Sequence, residues 1–170
     1  LTTNGILLKE YAADLKRQGL HAVNVSLDTM NPDTYTKITG ASELSRVLEG
    51  IRTMEALHIP LKINVVLQQN VNAGEWRDLV LLGKQMVDLT GRYPIDVRFI
   101  EMMPIGYGKE LSPISNSKLL EKLTFTFGSL IPEERPHGNG PARYYRIEGF
   151  QGSIGFISAI HGKFCNQCNR

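Results

Sequence analysis

Apolar and polar positions in this chain switch between a helical period and an extended one, and the cycle repeats. Leu8, Tyr11, Ala12 and Leu15 have helical spacing and predict an amphipathic helix ending near Gly19. From His21 to Asp28 the period falls to two, with Val23, Val25 and Leu27 on one side and Asn24, Ser26 and Asp28 on the other. A loop at Asn31-Pro32-Asp33 and a turn region to Gly40 follow. Ser42 then stands as the N-cap of a helix through Leu44, Val47, Leu48 and Ile51. His58-Ile59-Pro60 breaks that helix, and 61–67 reads as a strand with Lys62 and Asn64 opposite Ile63 and Val65. Trp76, Leu79, Val80 and Val87 mark a further helix ended by Thr90-Gly91, and 96–102 reads as the next strand.

Strand–helix units of this length imply parallel strands joined by crossover helices. A doubly wound open sheet buries both faces, so its strands read as almost uniformly apolar. These strands carry a polar stripe on one face. A barrel whose lumen holds a ligand accounts for the stripe, with apolar outer faces packed against helices. The expected fold is therefore α/β, part of an incomplete (β/α)6 TIM-like barrel; the open sheet is the alternative.

After Pro104 the rhythm changes. Ile105-Gly106-Tyr107-Gly108 reads as a loop, and Ser115 or Ser117 starts a short helix through Leu119, Leu120 and Leu123. A Pro- and Gly-rich stretch from Pro132 to Pro141 leads into two antiparallel strands, 143–148 and 153–158. The expected division is barrel repeats over 1–104 and an extension over 105–170 leading to the Cys pair.

Composition narrows the function classes. Nineteen Lys and Arg against 17 Asp and Glu give a net charge of +2 over 170 residues, which argues against broad nucleic-acid binding by charge. A few inward cations would still suffice for a small anion. No apolar run approaches the roughly 20 residues needed to span a membrane. The chain opens at Leu1 without Met, and its ends read as cuts within a longer protein. With only 2 Cys there is no disulfide framework, and the pattern suits a reducing compartment.

Those cysteines form Cys165-Asn166-Gln167-Cys168-Asn169-Arg170. Redox dithiols, zinc sites and iron–sulfur sites all use this spacing. The pair does not open a helix after a buried strand, which disfavours the dithiol. Two thiolates leave a metal site incomplete, so a further ligand is expected beyond Arg170, whose charge suggests an anion or carbonyl beside the metal. Two unrelated buried thiols are the plain alternative. Asn24, Ser26 and Asp28 supply donors and acceptors without a nucleophile setting, and polar filling of a barrel end reads equally well. Lys62 facing a lumen would need an anion; an exposed strand start would not, and Arg98 has the same two readings. Met102-Met103 reads as core filler. Glu101 could be a ligand, a base or the ion-pair partner of Arg98. His21, His58, His137 and His161 lack metal-ligand spacing and read as surface or loop residues.

Several short blocks nevertheless occur together and in order: Leu1-Thr2-Thr3-Asn4-Gly5, Asn24-Val25-Ser26-Leu27-Asp28, Lys62-Ile63-Asn64-Val65-Val66, Arg98-Phe99-Ile100-Glu101-Met102-Met103-Pro104 and Phe164-Cys165-Asn166-Gln167-Cys168-Asn169-Arg170. Over essentially the whole chain this resembles the radical S-adenosylmethionine GTP 3′,8-cyclases, the molybdenum cofactor biosynthesis protein A family. The resemblance implies a partial barrel with two 4Fe-4S clusters, an N-terminal one that cleaves S-adenosylmethionine to a 5′-deoxyadenosyl radical and a C-terminal one that holds the guanine. The radical takes hydrogen from the ribose of GTP, and the product is 3′,8-cyclo-7,8-dihydro-GTP.

Carried over by position, the resemblance makes Cys165 and Cys168 ligands of the C-terminal cluster. Thr2, Lys62 and Arg170 match GTP contacts, and Lys62 suits the triphosphate because a point cation suits phosphate. Ser26 and Met103 match S-adenosylmethionine contacts, which replaces the core-filler reading of Met103. Arg98 resembles a further phosphate contact. Arg98 and Met103 have opposite parity, so both face a lumen only if the strand has ended or bulged by Met103. The resemblance further implies GTP and the next enzyme of molybdopterin synthesis as partners and allows a homodimer. It implies a cytoplasmic location, or the mitochondrial matrix in a eukaryote, with neither nucleic acid nor membrane. The N-terminal cluster motif is not in these residues, so the piece alone is expected to be inactive. Another radical S-adenosylmethionine enzyme with an auxiliary cluster, or a zinc-binding structural fragment, are the competing functions.

Overall fold

A computed structural model describes residues 1–87, 95–134, 137 and 140–158 of the chain. Among these described residues seven strands form one sheet in the order β1-β2-β3-β4-β7-β6-β5. They are β1 (Thr2–Thr3), β2 (Val23–Ser26), β3 (Leu61–Val65), β4 (Asp96–Ile100), β5 (Ile131–Glu133), β6 (Arg143–Arg146) and β7 (Ile154–Ile157). β1 to β4 and β7 run parallel, and β5 and β6 add an antiparallel margin. The helices are α1 (Leu8–Arg17), α2 (Pro32–Thr39), α3 (Leu44–Ala56), α4 (Trp76–Val87) and α5 (Asn116–Phe127).

The first strands lie side by side in chain order, with no reversal at which a doubly wound sheet would change direction. Crossovers of one hand and one direction place their helices on one face. Burial shows which: Val23, Val25, Ile63, Val65 and Val97 are 0% exposed and Phe99 1%. The intervening positions Asn24, Lys62, Asn64 and Arg98 are only half-buried. The polar stripe is thus a real face of the sheet, and the partial-barrel expectation holds over the open sheet.

Two of the helices, α1 and α3, close against each other at a glycine. A Cβ on Gly50 of α3 would lie 2.8 Å from Leu8 Cβ and 2.9 Å from the Gly5 carbonyl oxygen, so α1 and α3 touch where only glycine fits.

Local expectations held unevenly. The turn region before Gly40 is the helix α2. Asn31 Oδ1 accepts from the Asp33 and Thr34 amides at 2.9 and 3.0 Å, Pro32 opens the first turn, and Gly40 closes it at φ 75°. Ser42 does not cap α3; it pairs with Thr36 Oγ1 at 3.2 Å, and the N-cap is Glu43 without a side-chain bond. Ser115 does cap α5, its Oγ accepting from the Lys118 amide at 3.4 Å. Tyr11, assigned to the inner face of α1, is 54% exposed. Thr90-Gly91 lies outside the described residues. The antiparallel pair after Pro141 forms as β6 and β7, and β7 joins β4, so the segment after 104 extends the same sheet.

Candidate functional site

Register aligns the polar face in rows. Thr2, Asn24, Lys62 and Asp96 stand side by side across β1 to β4; Ser26, Asn64, Arg98 and Gly155 form the next row across β2, β3, β4 and β7. Neighbours in a row are ~4.8 Å apart and the rows ~7 Å apart by strand geometry. This brings Thr2, Ser26, Lys62 and Arg98, which are up to 96 positions apart in the chain, onto one surface.

The contacts along the rows are polar. Asn24 donates from Nδ2 to Thr2 Oγ1 at 3.2 Å. Arg98 donates from Nε and Nη2 to Asn64 Oδ1 at 2.8 and 2.6 Å, which fixes the guanidinium over the face. Lys62 Nζ donates to the His137 carbonyl oxygen and lies 5.9 Å from the centre of the Tyr144 ring. Burial, and then the Arg98 charge, hold the Lys62 pKa below its ordinary value, against a smaller upward pull from Asp96. Burial pushes the Tyr144 phenol up, with Arg98 opposing. A Cβ on Gly155 would meet the Tyr144 ring at 2.7 Å and Arg98 Cγ at 2.9 Å, so glycine in β7 is what lets Tyr144 lie against Arg98.

His137 is no surface histidine. Its side chain is 8% exposed, its Nδ1 is 2.7 Å from Asp96 Oδ2, and its ring stacks on Tyr144 at 4.0 Å. No periodic signal marks this role, because a contact across 41 positions leaves no local trace.

The rim is held from behind. β2 and β3 end under Asn72, whose Nδ2 donates to the carbonyls of Asp28 and Val66 while its Oδ1 accepts from the Gln68 amide. Asp28 Oδ1 accepts from the Val66 amide at 2.7 Å, and burial raises its pKa. Ser26, the last residue of β2, is exposed at this rim. Met103 is 48% exposed and lies beyond the end of β4 at Ile100, so the parity conflict with Arg98 disappears. Glu101 is buried and accepts from the Asn116 amide at the start of α5 at 3.0 Å. Cys165, Cys168, Arg170 and His161 lie outside the described residues. Among the described residues no group of three or more His, Cys, Asp or Glu is placed to hold a metal, and no helix is long and apolar enough to cross a membrane.

Residues 1–83 match the family described as Radical SAM superfamily, and residues 95–170 match Molybdenum Cofactor Synthesis C. A GTP 3′,8-cyclase of Clostridium perfringens (strain SM101 / Type A) is 42% identical over 170 residues, covering 100% of this chain and 50% of that protein. One from Clostridium acetobutylicum is 43% identical, covering 100% of this chain and 51% of that protein. The chain spans about half the length of the curated relatives it matches. A solved domain of the pyruvate-formate lyase-activating enzyme from Bacteroides vulgatus shares the fold at TM-score 0.53 and 14% identity, over 72% of this chain and 71% of that one.

Proposed function

We propose, from the matches of residues 1–83 to the Radical SAM superfamily and of residues 95–170 to Molybdenum Cofactor Synthesis C, that the full-length protein is a GTP 3′,8-cyclase of molybdenum cofactor biosynthesis. The observation that carries the reading is the pair of cations, Lys62 and Arg98, on adjacent strands of one polar face. Burial and the neighbouring Arg98 charge disfavour the Lys62 ammonium, and a polyanion bound beside both cations would offset that cost. The described residues therefore fit a nucleoside triphosphate.

In this proposal Lys62 and Arg98 hold the phosphates, and Thr2 offers a hydroxyl on the same face. Arg170 is a further GTP contact. Ser26 and Met103, both exposed at the ends of parallel strands, receive S-adenosylmethionine. Cys165 and Cys168 are ligands of a 4Fe-4S cluster, whose thiolate chemistry their spacing suits. With clusters and S-adenosylmethionine held at those residues, that cofactor set would supply the radical chemistry that starts cyclisation. Residues 1–104 form the barrel part and 105–170 the extension toward the second cluster. GTP is the substrate, the next enzyme of molybdopterin synthesis takes the product, and a homodimer in the cytoplasm (or mitochondrial matrix) belongs to the same proposal.

Metal content tests the reading. Full-length protein reconstituted without oxygen should hold about eight irons per chain, as two four-iron clusters require. Zinc bound in place of iron would overturn it.

A further inference from the structure

We propose that Asp96 and His137 act as a holder for Lys62, a positioning pair that fixes the ammonium on the polar face. The inference rests on the reading of Lys62 as a phosphate contact. Lys62 and Asp96 are register partners on β3 and β4, the natural place for an ion pair. Both oxygens of Asp96 are engaged elsewhere: Oδ1 accepts from the Ser153 amide at 3.1 Å, and Oδ2 faces His137 Nδ1 at 2.7 Å. The carboxylate thus acts on Lys62 through space, while the hydrogen bond to the ammonium comes from the backbone carbonyl of His137.

That carbonyl is placed by the His137 side chain. The imidazole is clamped between Asp96 and the Tyr144 face, at an interplanar angle of 15°. Gly155, having no side chain, leaves the room that Tyr144 occupies beside Arg98. One carbonyl occupies one of the three ammonium donors and leaves the others for a ligand. A carbonyl carries no full charge, so it fixes the direction of Lys62 without neutralising it. A carboxylate in that position would cancel the attraction for an anion.

The probe is the Lys62 amine, acylated by an amine-reactive ester in the full-length protein and followed by mass spectrometry. His137→Phe keeps a ring to stack on Tyr144 and removes the bond to Asp96; His137→Asn restores a donor at the Nδ1 position. Lys62 should react about fivefold faster in His137→Phe, the factor that one hydrogen bond's net worth carries. His137→Asn should return most of the protection, with the exposed Lys9 and Lys118 unchanged throughout. Equal Lys62 rates in wild type and His137→Phe overturn the holder, as does a failure of His137→Asn to recover protection. A separate arm adds inorganic tripolyphosphate to wild type. Slower acylation of Lys62 supports the phosphate contact, and an unchanged rate refutes that contact while the first arm still decides the holder.

Discussion

Asn72→Ala should cost about 3–5 kcal/mol of stability, because it removes bonds that nothing else in the loop can replace. Asn72 is 1% exposed. Its Nδ2 reaches the Asp28 and Val66 carbonyls at 2.7 and 3.0 Å, and its Oδ1 takes the Gln68 amide at 2.7 Å. Truncation strands a part-buried donor and two part-buried acceptors, and each stranded group costs about 1–3 kcal/mol, partly recovered by relaxation and water. The midpoint of thermal unfolding should fall on the order of 10 °C. Asn72→Asp keeps the acceptor, loses the donors and should be no milder, since it sets a carboxylate against two carbonyls. Denaturant titration of the variants measures the effect. A loss below about 1 kcal/mol would mean that the rim is held elsewhere.

Lys62→Ala should weaken GTP binding roughly 10- to 100-fold, the range expected when a charge-assisted hydrogen bond to phosphate is lost. Stability should not fall with it. Burial and Arg98 hold the Lys62 pKa down, so below that lowered pKa the charged side chain opposes folding. Its removal relieves that opposition. A loss of affinity without a loss of stability separates a ligand contact from a structural one. Lys62→Arg should rescue poorly, because a planar guanidinium beside Arg98 cannot reproduce a compact ammonium. Calorimetric titration with GTP and with guanosine checks the assignment: only the phosphorylated ligand should lose affinity.

Much of this was legible in the chain because sheet burial has a period of two. Val23, Val25, Ile63, Val65, Val97 and Phe99 name the helix side, and Asn24, Lys62, Asn64 and Arg98 the open side. Singly wound parallel order follows from polar residues repeating on one face. The helix α2 is equally legible, because Asn31 as cap, Pro32 at the first turn and Gly40 at the end are the usual helix signals. What sequence could not give were contacts made by single side chains over long separations. The His137 ring on Asp96, the Asn72 stitch and the close approach at Gly155 each depend on where the sheet brings distant strands. Roles for Ser26, Met103, Cys165, Cys168 and Arg170 came from resemblance, since none of them has a spacing that specifies a ligand.

The proposed role of this polar face is to hold GTP for radical chemistry in the full-length enzyme. Its most direct test is 5′-deoxyadenosine formation by the full-length, anaerobically reconstituted protein given S-adenosylmethionine and a reductant. GTP should raise 5′-deoxyadenosine formation well above the rate without substrate, and Lys62→Ala should largely abolish the rise at low GTP. A rate indifferent to GTP in the cluster-loaded wild-type protein would contradict it.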